Sequence, residues 1–96
     1  MDTIKNAKIK YSFLGIDDSN IPLFYLGFEY KENQEWKNVS TNKVTFLDVT
    51  FIKELLSTLE VRSWEELPRK FARIKIKDGK VVAVGNLLEE KWVEVK

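Results

Sequence analysis

The stretch from Phe71 to Val84 constrains this chain more than any other. Ala72, Ile74 and Ile76 alternate with Arg73, Lys75 and Lys77, Asp78-Gly79 follows, and Val81–Val84 brings the chain back. Alternation with a period of two marks a strand with one buried face, and Asp-Gly between two such runs is the strongest short-range hairpin signal. The spacing predicts that Lys77 faces Lys80, Ile76 faces Val81, Lys75 faces Val82, Ile74 faces Ala83 and Arg73 faces Val84.

The remaining elements follow by the same reasoning. Lys8–Phe13 alternates, which assigns Ile9, Tyr11 and Phe13 to the core and Lys8, Lys10 and Ser12 to the other face. Leu23–Tyr30 is apolar on both faces and suits a central strand; Gly27 within it predicts a bulge or something packed closely over the backbone. Asp17-Asp18-Ser19-Asn20 is a cluster of turn formers between these two strands. Trp36–Ser40 is a third strand after the polar loop Lys31–Glu35. Ile52, Leu55, Leu56 and Leu59 repeat at helical spacing and predict a helix over Val49–Glu60, with Asp48 or Thr50 as N-cap. Ser63-Trp64-Glu65-Glu66 matches a capping box that Pro68 stops after one turn, leaving Trp64 as a lid on the core. Lys91–Val95 is read as a short last strand with Trp92 inward, and Met1–Asn6 is expected to fray.

One domain covers residues 1–96. Its expected class is α+β, mainly antiparallel β: five strands with one helix between the third and fourth. That order suits an OB-like partial barrel or an open antiparallel sheet with the helix on one face.

Composition narrows the chemistry. The chain has no Cys and no His. Loss of both removes the usual zinc ligands and the His-assisted nucleophiles of hydrolases. No metal is expected, since the zinc ligands are missing and Asp17 and Asp18 read as turn residues, and no cofactor, since Gly15, Gly27, Gly79 and Gly85 fall in no phosphate-binding pattern. Sixteen Lys and Arg against fifteen Asp and Glu give a net charge of +1, which argues against a strongly basic nucleic-acid protein but not against a basic face. Without an apolar leader or a membrane-length apolar run, the chain is expected in the cytoplasm, with no membrane partner. Asp17 and Asp18 are read as turn residues, and Glu65 and Glu66 as helix-start residues, so no catalytic residue is assigned.

What is left is surface. Arg73, Lys75 and Lys77 share one face of their strand, Lys80 lies across the turn, and Lys8 and Lys10 make a similar stripe. Trp36, beside Lys37, is the aromatic most open to solvent. Phosphates on such a stripe and a base stacked on Trp36 would make a single-stranded nucleic-acid surface; a solvated sheet face is the plain alternative. The free edge Trp36–Ser40 could also pair with a second copy.

The second half of the chain resembles a known pattern. Leu55-Leu56-Ser57-Thr58-Leu59-Glu60-Val61, Ser63-Trp64-Glu65-Glu66-Leu67, a basic strand, Asp78-Gly79, Val81-Val82-Ala83-Val84-Gly85-Asn86 and Lys91-Trp92 follow in the order found in small uncharacterised proteins of tailed phages and prophages. Leu14-Gly15 matches the end of their first strand, and the layout is similar to phage single-stranded-DNA-binding proteins of OB type. This chain has Asp17–Asn20 and Lys31–Glu35 where those proteins carry an Asp-His-Gly turn and a Gly-rich loop. The resemblance implies a non-enzymatic phage or prophage accessory protein that binds a host or phage partner. The alternative is a single-stranded nucleic-acid-binding OB-like module using Lys8, Lys10, Trp36, Lys37, Arg73, Lys75, Lys77 and Lys80.

Overall fold

The computed structural model describes residues 3–45 and 49–95. In chain order it contains β1 (Thr3–Ile16), β2 (Pro22–Glu32), β3 (Glu35–Ser40), α1 (Val49–Thr58), a 3-10 turn (Trp64–Glu66), β4 (Phe71–Lys77), β5 (Lys80–Gly85) and β6 (Trp92–Glu94). The strands form one open six-stranded sheet in the order β3-β2-β1-β4-β5-β6, with every neighbouring pair antiparallel. There are thus six strands where the expected class has five, because the short last strand read over Lys91–Val95 forms as β6 at the edge of β5. Nor does the start fray throughout: Thr3 to Asn6 pair with β4, from Thr3 opposite Ile76 to Asn6 opposite Arg73.

The long strand β1 joins two wings. Thr3–Lys8 pairs with β4, and Lys8–Ile16 pairs with β2. Between them, Ile9 donates its N–H to the Lys70 carbonyl at 2.8 Å and accepts from the Arg69 N–H at 2.7 Å. The register with β2 then slips, from Ile9 opposite Phe28 to Tyr11 opposite Gly27, leaving Lys10 as the extra residue of a bulge. One inserted residue reverses which side chains face the core. Ile9 is fully buried, whereas Tyr11 and Phe13, assigned to the core by alternation, are 45% and 36% exposed.

A second bulge lies between β4 and β5. Lys77 faces Lys80 and Ile76 faces Val81 as the spacing predicts, but Lys75 faces Ala83, Ile74 faces Val84 and Arg73 faces Gly85. The physical reason is that Val81 and Val84 are both buried. Three residues apart, they cannot share a face of a regular strand, and the extra residue Val82 brings them together.

The core packs one face of the sheet against α1. Phe24, Leu26 and Phe28 of β2, Ile74 of β4 and Val84 of β5 meet Leu55 and Leu59 of the helix and Leu67 beyond it. Trp64 sets its ring edge against Phe24, 5.7 Å between centroids, and so acts as the lid. The Glu66 carboxylate accepts 2.8 Å bonds from the Arg62 and Ser63 N–H groups, the half of a capping box that closes the turn. Of the two N-cap candidates, Thr50 lies inside α1 and Asp48 lies outside the described residues. The helix stops at Thr58, two residues before the expected end, because Glu60 takes a left-handed φ of 58°. Val61 and Glu60 then donate back to Leu56 and Ser57, a Schellman ending.

Two tight hairpins frame the sheet. Asp78-Gly79 joins β4 to β5, and Asn33-Gln34 joins β2 to β3; all four residues have positive φ, the geometry of a two-residue type I′ turn. Just past β3, Thr41 makes a further link. Its N–H donates to the Leu26 carbonyl at 2.9 Å, its Oγ1 accepts from the Leu26 N–H at 3.0 Å, and it forms a single parallel bridge with Val81 of β5. No helix among the described residues is long and apolar enough to cross a membrane.

Candidate binding face

The face of the sheet turned away from α1 carries the candidate site. Past the Lys10 bulge, Tyr11 and Phe13 stand there with Tyr25 of β2. Phe13 stacks on Tyr25 at 5.2 Å with 16° between the planes, and Tyr11 meets Tyr25 edge-on at 5.9 Å. The Tyr11 ring lies directly on the backbone of Gly27, where a Cβ would fall 2.1 Å from the ring. This is the close approach that Gly27 predicted. Three aromatic rings therefore form one outward cluster, held by each other and by a glycine that leaves room for it.

Beside the cluster lies an open hollow of about 620 Å³. Tyr11 and Tyr25 line it together with Thr41, Asn42, Lys43 and Lys80, and the Thr41–Val81 bridge brings the last of these beside the others. Its size is within the range of about 300–1,000 Å³ common for small-ligand sites. A smaller hollow adjoins it, lined by Lys10, Asn38 and Val39, and the two share Tyr11 and Ser40. Lys10 Nζ donates to the Asn38 Oδ1 at 3.3 Å. Apolar rings with ammonium groups at the rim can stack a flat aromatic ligand and hold its negative charge.

The basic stripe expected from the sequence is differently employed. β1 and β4 are neighbours, yet Lys8 pairs with Glu29 at 3.4 Å. Arg73 is turned inward to the β5–β6 connection, its side chain only 19% exposed. Its Nε donates to the Asn86 carbonyl, one Nη to the Glu89 carbonyl and the other to the Glu90 carboxylate, each at 2.8 Å. That arginine holds the Glu90 carboxyl below the usual carboxylate range, with a smaller contribution from the Trp92 indole N–H. Lys75 Nζ lies 5.5 Å from the centre of the Trp92 ring, and the Arg73 guanidinium 4.8 Å. Trp92 itself does not point inward: it pairs with Gly85 and rests over it on the outer face, while Val93 enters the core. Val93 and Val84 face one another, and alternation sends Trp92 the other way.

The other expected residues divide. Trp36 is 59% exposed, with Lys31 Nζ 5.9 Å above its ring. Lys37, one residue on, points to the opposite face and pairs with Glu35 at 3.4 Å. Lys77 and Lys80 are exposed at the β4–β5 tip, and of these Lys80 lines the larger hollow. Asp17 does the work of a turn: its Oδ1 accepts from the Ser19 and Ile21 N–H groups at 2.9 and 3.0 Å. Tyr11, Phe13, Tyr25 and Lys43 were not among the expected site residues. The one signal for them was Gly27, which asks for a large neighbour on the facing strand.

Compared with known proteins, the chain matches no family model, no curated protein and no solved structure.

Proposed function

We propose that this protein is a non-enzymatic binding module whose outer sheet face holds single-stranded nucleic acid. The observation that carries the reading is the aromatic cluster of Tyr11, Phe13 and Tyr25, turned outward by the Lys10 bulge beside a hollow rimmed by Lys43 and Lys80. Bases have π-faces on both sides, so stacking on such rings tolerates any sequence, and lysines at the rim supply phosphate contacts. The strand order is in keeping with an OB-like partial barrel. β1 bends between two wings, α1 lies between β3 and β4, and the chain after β3 touches β5 in parallel at Thr41 and Val81. With a net charge of +1, binding rests on the local face and not on the whole molecule.

The test is a fluorescence-anisotropy titration of labelled oligo-dT at low and moderate salt. Binding that weakens as salt rises, and that Tyr11→Ala or the double change Lys43→Glu, Lys80→Glu weakens further, supports the reading. No binding at low salt overturns it.

One observation favours a second reading, a phage or prophage accessory protein that occupies a host or phage protein. Leu14, Ile16 and Ile21 are each exposed near the β1–β2 tip, apolar side chains that a protein partner would cover and a nucleic acid would not need. A stable complex recovered with the wild type and lost with Ile16→Asp supports this reading; a protein that remains monomeric and unaffected by Ile16→Asp counts against it.

A further inference from the structure

The hollow beside Tyr11 lies at one end of β3, and the outer face continues beyond it. Within β3, Trp36, Asn38 and Ser40 alternate onto the same side of the sheet as Gly27 and the Tyr11 ring above it. Ser40 lines both hollows, and Asn38 lines the smaller one with Lys10. From Ser40 to Trp36 is four residues of extended chain, about 13 Å at roughly 3.3 Å per residue. At about 3.4 Å per stacked base, that length spans about four bases, fewer if the backbone is stretched.

Charge follows the same line. Lys43 and Lys80 stand at one end, Lys10 at the middle and Lys31, over the Trp36 ring, at the other. Glu29 lies opposite Asn38 on this side of the sheet, and Lys8 already pairs with it. Glu35, next to Trp36 in the chain, alternates to the far face and pairs with Lys37. β3 is also an edge of the sheet, so among the described residues no further strand pairs along Glu35–Ser40.

We infer that the bound strand runs along β3 from the Tyr11–Tyr25 hollow to Trp36, which stacks a second base and gives the site a minimum length. This rests on the nucleic-acid reading above and adds a direction and a terminus to it. The competing role for Trp36 is structural. It sits directly across from Lys31 next to a type I′ turn, and a cross-strand Lys–Trp pair steadies a hairpin without any ligand.

The two roles part in a length series. Oligo-dT of three and of eight nucleotides is titrated by anisotropy against wild type, Trp36→Ala, Trp36→Phe and Tyr11→Ala, with a thermal melt of each variant. A second stacking contact predicts that Trp36→Ala weakens the eight-mer about 5- to 100-fold and the three-mer less than about twofold, with recovery in Trp36→Phe. Tyr11→Ala should weaken both lengths. Equal affinity of wild type and Trp36→Ala for the eight-mer overturns the track while leaving the Tyr11 site standing. Equal losses at both lengths, with a lowered melting temperature, assign Trp36 to the hairpin and also overturn it. If neither oligomer binds wild type at low salt, the nucleic-acid reading falls first and the track with it.

Discussion

The two wings of the sheet share a strand, a core and a device, yet their outer faces differ. In the wing of β4, β5 and β6, Trp92 lies over Gly85; in the wing of β1, β2 and β3, Tyr11 lies over Gly27. Both are aromatic rings resting on a glycine of the facing strand. Around Trp92, however, the cations are committed: Arg73 holds two carbonyls and a carboxylate of the β5–β6 connection. Around Tyr11, Lys43 and Lys80 rim an open hollow. The difference shows that a ring on a glycine is a way to cover bare backbone, and that it becomes a candidate site only where the adjoining charges are not already satisfied by the fold.

The sharpest way to break the comparison is to fill both glycines. Gly27→Ala puts a methyl 2.1 Å from the Tyr11 ring, and Gly85→Ala puts one 2.6 Å from the Trp92 ring. Each should lower stability by about 1–3 kcal/mol, the usual range for overpacking, as read by urea denaturation. Only Gly27→Ala should also displace the proposed ligand; equal binding losses from the two would mean that the wings are not distinct. Next in size is Thr41→Val. It leaves the buried Leu26 N–H without its 3.0 Å acceptor, for an expected loss of about 1–3 kcal/mol.

Arg73→Ala should cost a similar amount, since it removes two charge-assisted carbonyl bonds, one part-buried and one exposed, of a kind worth about 1.5 kcal/mol or more each. It should loosen the β5–β6 connection, seen as faster amide exchange there, without changing the salt slope of oligonucleotide binding. Lys43→Glu with Lys80→Glu should do the reverse, flattening the salt slope by about two while barely moving the melt.

The smallest effect concerns pH. Backbone bonds from Arg62 first, then Ser63, hold the Glu66 carboxyl below its ordinary value, and Arg73 does the same for Glu90. A carboxyl lowered on folding contributes stability above its unfolded pKa and loses it as pH falls through the folded value. Wild type should therefore lose stability below about pH 4, where unperturbed Glu titrates. Glu66→Gln should show a shallower acid slope and Glu90→Gln a similar change.

How much of this was legible in the chain depended on whether regularity was kept. Asp78-Gly79, the Leu55 and Leu59 spacing and the Ser63–Glu66 turn are local and regular, and each formed where their residues stand. The two bulges were not legible. Tyr11 and Phe13 are as acceptable in a core as on an exposed face, so nothing in the pattern Ile9, Tyr11, Phe13 betrays an insertion at Lys10. Likewise Val81, Val82, Ala83 and Val84 are all apolar, and the shift at Val82 leaves no mark on the alternation. The candidate site lay out of reach for the same reason, since it exists only after the first bulge has turned its rings outward. Arg73 was legible as a charge but not as a knot, because its partners at Asn86, Glu89 and Glu90 lie more than a dozen residues away.

The single bridge between Thr41 and Val81 has a mechanical meaning. Lys43 follows one side of it and Lys80 precedes the other, so the two ammonium groups stand on opposite banks of one backbone contact. The bridge is a single isolated contact between the segment after β3 and the start of β5, so it fixes the spacing of those two segments. That one contact thus acts as a calliper, setting the gap between Lys43 and Lys80 that any ligand of the proposed site would have to fit.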